Sequence, residues 1–90
     1  MKIKGQFIMR RVVDEYILVP VDETALRFNG IISLNPVSAL IWEKLEQGAG
    51  RADILEQILA EFDTDRETAS ADLDKFLERM KEKDLLEEAL

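Results

Sequence analysis

Phe28-Asn29-Gly30-Ile31-Ile32-Ser33-Leu34-Asn35-Pro36 is where the chain changes character. Residues 31–34 form a short apolar run behind the turn signal Asn29-Gly30, and they read as a strand. Asn35 and Pro36 read as the N-cap and first residue of a helix. The Asn35 side-chain oxygen can accept a hydrogen bond from an N–H of the first turn, and proline sacrifices no hydrogen bond at that position. Working outward, residues 6–34 are rich in Val, Ile, Phe and Leu with short polar breaks, whereas residues 35–86 are rich in Glu, Leu, Ala, Lys and Asp. Strand formers followed by helix formers predict an α+β domain rather than an alternating α/β one.

Upstream of this stretch, residues 7–13 and 16–21 read as two strands joined by a tight hairpin at Asp14-Glu15. Pro20 cannot donate to a ladder, which suggests an edge position or a strand end. Arg10 and Arg11, the densest basic cluster, should point to opposite faces of the first strand. Residues 22–30 allow two readings: a loop feeding a third strand at 31–34, or a hairpin pairing 26–28 with 31–34 across Asn29-Gly30. The third strand at 31–34 is the expectation carried forward.

Downstream, Val37, Leu40, Ile41 and Leu45 mark one face of a first helix, with Trp42 beside it and Gly48 as its stop. Ile54, Leu55, Ile58, Leu59 and Phe62 give a second helix over 52–62 a wide apolar stripe. A third helix over 65–83 places Ala69, Leu73, Phe76, Leu77 and Met80 on one face. Thr64 with Glu67 has the form of a capping box at its start. Leu85 and Leu86 are expected to fold back on the core. Residues 1–5 and 87–90 read as loose ends. The architecture expected is a winged-helix-like single domain over residues 6–87, a three-stranded antiparallel sheet followed by a three-helix bundle.

The 90 residues, 47% apolar and 34% charged, suffice for one modest core and a solvated surface. Without cysteine or histidine the chain has no thiol nucleophile, imidazole base, thiolate zinc site or disulfide. The missing cysteines fit a reducing cytoplasm. No apolar run approaches the roughly 20 residues that span a bilayer, and no signal-peptide pattern opens the chain. A net charge of −7, from 19 acidic and 12 basic residues, repels phosphate backbones. No phosphate-binding, dinucleotide or EF-hand motif is present, so no cofactor, no metal and no catalysis are expected.

These pieces resemble the PqqD-like family, the recognition elements of ribosomally made, modified peptides. The matching text is Phe7-Ile-Met-Arg-Arg, Tyr16-Ile-Leu-Val-Pro, Phe28-Asn-Gly-Ile-Ile-Ser-Leu-Asn35, Ala39-Leu-Ile-Trp-Glu43, and Asp72-Leu-Asp-Lys-Phe-Leu-Glu78 through Asp84-Leu-Leu86. The resemblance covers about residues 6–87. Residues 22–30 are longer than the corresponding connection in the PqqD of cofactor biosynthesis, which suggests a stand-alone relative serving another peptide pathway. The family implies a domain that binds the leader segment of a precursor peptide and presents it to a modifying enzyme, often a radical SAM enzyme. The leader would add as a strand beside the third strand and lie against the third helix.

Residues 31–34 contain no proline and so offer a full ladder, and Gly30 would let a foreign backbone approach. Ile31 and Ser33 should share one face, Ile32 and Leu34 the other. Leu73, Phe76, Leu77 and Met80 are the candidates for the helical wall, although each also suits a core that has few apolar side chains to spare. Asp72, Asp74 and Glu78 could favour basic leader residues, or simply form a solvated face. Two rival functions remain. A winged-helix nucleic-acid reader would use the third helix, whose basic residues are interleaved with acidic ones. A dimerising adaptor would pair the open edge with a second copy as a homodimer.

Overall fold

The computed structural model describes residues 1–87. Its elements are β1 (Lys2–Ile3), β2 (Phe7–Val12), β3 (Glu15–Pro20), α1 (Asp22–Arg27), β4 (Ile32–Leu34), α2 (Pro36–Glu46), α3 (Arg51–Glu61), α4 (Arg66–Glu82) and β5 (Leu86–Glu87). The larger sheet is antiparallel in the order β2-β3-β4, and three helices follow it, as the α+β expectation required. Among the described residues, no helix is long and apolar enough to cross a membrane.

β2 and β3 pair along their whole length, from Phe7 opposite Pro20 to Val12 opposite Glu15. The hairpin turn is therefore Val13-Asp14, one residue earlier than expected. Val13 stands at φ 58°, a costly conformation for a β-branched side chain. The register explains the shift: it keeps Phe7 and Leu18 on the same, core-facing side, and moving it by one residue would place them on opposite faces of the sheet. Pro20 closes β3, which is the central strand, at a point beyond the pairing with β4. It thus obeys the strand-end reading and not the edge one.

Residues 22–30 are not a plain loop. They begin with α1, whose Thr24 hydroxyl is buried and accepts a hydrogen bond from the Gln6 amide at 2.7 Å. Phe28 then packs edge-on against Phe7 with ring centroids 5.8 Å apart. No hairpin joins 26–28 to 31–34; β4 pairs instead with β3, with Tyr16 opposite Leu34 and Leu18 opposite Ile32.

α2 begins as its sequence requires: Asn35 Oδ1 accepts from the Ser38 amide at 2.8 Å. It ends in a Schellman turn, with the Gly48 amide on the Leu45 carbonyl and the Ala49 amide on the Lys44 carbonyl. Gly48 sits at φ 85° there, where a Cβ would be strained. At α4 the cap is Asp65 rather than Thr64, because Asp65 Oδ1 accepts from the Thr68 amide at 2.7 Å. The same hydrogen bond holds the Asp65 carboxyl below its ordinary pKa.

The ends are also more ordered than expected. Lys2 pairs with Glu87 and Ile3 with Leu86 in a two-stranded sheet. Residues 88–90 of the tail read as loose lie outside the described residues. One core fills the space between the inner face of the larger sheet and the three helices. Trp42, Leu18, Ile41, Ile54, Ile58, Leu73 and Met80 are its fully enclosed large side chains. Phe7 meets Trp42 edge-to-face, with ring centroids 5.5 Å apart.

Candidate functional site

β4 is an edge strand. One side of its backbone is hydrogen-bonded to β3, and among the described residues no strand pairs with the other. Its side chains alternate as the sequence required: Ile32 and Leu34 are buried in the core, while Ile31 and Ser33 face solvent. Gly30 precedes the strand at φ 97°, and a Cβ built there would meet nothing within 4 Å. Its backbone conformation, not crowding, calls for glycine. Beyond Leu34 the chain turns into α2, so the free edge runs directly into the Asn35 cap.

A cleft of about 230 Å³ opens at Asn35, the residue that follows β4. Asn35, Val37 and Ser38 form one side, and Asp72, Lys75, Phe76 and Arg79 of α4 form the other. Residues 72, 75, 76 and 79 fall on a single helical stripe, one turn and two turns apart. The stripe adjoins the core-facing one, and Phe76 belongs to both.

The four helical residues expected to form a wall therefore separate. Phe76 lines the cleft while remaining 4% exposed. Leu73 and Met80 are wholly enclosed in the core at 0% exposure, because the sheet and the other helices need them. Leu77 lies on the opposite flank of α4, near Gly50 and Arg51. Lys75, Arg79 and Val37 were missed by the sequence reading. The signal for the first two was present, since they share the helical stripe of Asp72 and Phe76.

The expected acidic rim also needs correction. Asp72 does line the cleft, but Asp74 and Glu78 lie with Leu77 on the far flank. Asp74 there accepts a hydrogen bond from Arg51 Nε at 2.9 Å, while Arg51 Nη2 donates to the Ser70 hydroxyl at 2.7 Å. The Arg51 guanidinium holds the Asp74 carboxyl below its ordinary pKa. The charge balance of the cleft is consequently two cations to one anion. Among the described residues no three acidic side chains converge as a metal site would require.

TbiB1, solved in complex with the TbiA(beta) leader peptide, is similar over 100% of this chain and 99% of its own, at 31% identity and a TM-score of 0.76. A lasso peptide synthetase B1, solved with a leader peptide, shares the fold at 19% identity and a TM-score of 0.70, with 93% of each chain covered. No curated protein matches the chain significantly. The sequence pattern of the family described as coenzyme PQQ synthesis protein D matches residues 15–86, most of the chain. A paired sheet with one open margin, three helices behind it and that match make this chain a member of the PqqD family.

Proposed function

We propose that the protein binds the leader segment of a ribosomally synthesised precursor peptide as an added strand on β4 and presents it to a modifying enzyme. The observation that carries this reading is the unpaired edge of β4 running into a cleft whose floor is Phe76. Main-chain hydrogen bonds to such an edge supply affinity, and the neighbouring pocket supplies selectivity. The leader complex of the 31%-identical TbiB1 supports the same reading.

The binding unit is residues 6–87 as a single domain, with β1 closing it against β5. It works in the cytoplasm, where ribosomal peptides are made, and contributes no catalysis of its own. The family resemblance makes a radical SAM enzyme the partner to seek; co-purification of the two chains is the check.

The test is a titration of ¹⁵N-labelled protein with the TbiA(beta) leader peptide as probe. The amides of Gly30, Ile31, Ile32, Ser33 and Leu34, together with those around Phe76, should shift. Shifts confined to other elements would overturn the site. Sedimentation over a range of protein concentrations tests whether a second copy occupies the edge instead: a stable dimer that peptide does not dissociate would favour the adaptor role.

A further inference from the structure

Resting on that reading, the geometry points to a charge selectivity that the chain's overall balance conceals. We propose that the cleft between α2 and α4 selects a peptide carrying an acidic side chain, held by Lys75 and Arg79, on the same face as an apolar side chain seated against Phe76 and Val37.

Among the described residues, Lys4 pairs with Asp84, Arg51 with Asp74 and Arg66 with Glu56, at 2.8–2.9 Å. Lys75 and Arg79 make no side-chain hydrogen bond or ion pair of this kind among the described residues, yet both line the cleft. The chain carries seven excess negative charges, yet these two cations line the cleft that begins at Asn35, the residue after the open strand. Asp72 offsets one of them and leaves a local positive balance.

Lys75 and Arg79 are four residues apart on a helix, about 6 Å along its axis. In an added strand, the side chains facing α4 recur at every second residue, about 6.6 Å apart. One helical turn thus matches one strand repeat. A carboxylate on the peptide can reach the Arg79 guanidinium in a bidentate way or the Lys75 ammonium as a point charge. A residue an even number of positions away along the peptide then meets Phe76 and Val37. The distant acidic surface opposes such a ligand only weakly, because physiological salt screens charges beyond roughly 8 Å.

A substitution array of the TbiA(beta) leader peptide, with Glu, Gln and Lys placed in turn at each position, tests this against labelled protein. At alternate positions Glu should be captured about fivefold better than Gln, and Lys worse than either. Lys75→Ala and Arg79→Ala should each reduce the preference, and the double variant Lys75→Glu/Arg79→Glu should reverse it towards Lys. All four side-chain changes are on an exposed helical surface, and circular dichroism verifies that the fold survives them. Capture of the array without regard to charge, or with a preference for Lys in the wild type, overturns the selectivity while leaving leader binding intact. Capture of no peptide in the array removes both.

Discussion

The Lys4 ammonium donates to the Asp84 carboxylate at 2.8 Å, joining the segment before β2 to the turn that follows α4. Asp84 occupies φ 59° in a Schellman turn, where the Leu85 amide bonds the Met80 carbonyl and the Asp84 amide bonds the Lys81 carbonyl. The Lys4 amide bonds the Leu85 carbonyl beside it. A side-chain pair and a backbone bond therefore close the domain where β1 meets β5. The Lys4 hydrogen bond and charge lower the Asp84 pKa, and the Asp84 hydrogen bond and charge raise that of Lys4.

The sign of the linkage fixes the pH window. Asp84 has a depressed folded pKa, so its contribution is complete above the unfolded carboxyl value and fades as pH falls through the folded one. Lys4 has a raised folded pKa, so its contribution is complete below the unfolded amine value and fades as pH rises through the folded one. Asp84→Asn keeps a residue that tolerates positive φ and removes only the charge. Its melting temperature should fall below the wild type at pH 7, and the two melting curves should converge in acid below the carboxyl range. Differential scanning calorimetry from pH 2 to pH 8 measures this. A difference that persists unchanged in acid would assign the loss to something other than the charge pair.

Val13→Gly should stabilise the protein. The side chain is 82% exposed and contributes little packing, while the backbone sits in the left-handed region. Removing that strain gains about 1 kcal/mol net of the extra freedom glycine gives the unfolded chain. Urea unfolding should show a higher midpoint at an unchanged slope; a lower midpoint would contradict the turn geometry.

The cap of α4 is decided by comparing Asp65→Ala with Thr64→Ala. Asp65 holds the Thr68 amide, whereas Thr64 Oγ1 makes only a 3.4 Å contact to the Asp65 carbonyl. Asp65→Ala should lower the urea midpoint. Thr64→Ala should change stability by no more than about 0.5 kcal/mol. The reverse ranking would restore the capping box with Glu67.

Trp42 is 1% exposed, and its indole N–H has no hydrogen-bond partner among the described residues. Trp42→Ala should cost about 3–5 kcal/mol through the cavity it leaves against Phe7. Trp42→Phe should cost much less, because it keeps a ring in place and removes an orphaned donor. Thermal melts of the two variants provide the comparison, and equal losses would mean that the indole N–H contributes a bond of its own.

Much of this was legible in order along the chain. Local signals placed β4, α2, α3 and α4 close to their observed bounds, because hydrophobic period, an Asn-Pro helix start and a Gly stop act over a few residues. The sequence reading also separated Ile32 and Leu34 from Ile31 and Ser33, since strand alternation needs no partner to be known. It misread residues 22–30, whose helix depends on Thr24 and Phe28 finding Gln6 and Phe7. It took the ends for loose, because two-residue strands have no pattern until they meet.

By itself the sequence determined an α+β chain with strands first, its inward faces, the strand before Asn35 and the family resemblance, while the sheet order that leaves this strand open came from the tertiary structure. Tertiary structure alone decided which side of α4 lines the cleft that opens after that strand. Helical period gives Leu73, Phe76, Leu77 and Met80 a common face, but only packing shows that the core consumes most of it. It leaves Phe76 at a cleft with Lys75 and Arg79. The rotation of a helix against its neighbours is set by long-range contacts, and no local pattern encodes it.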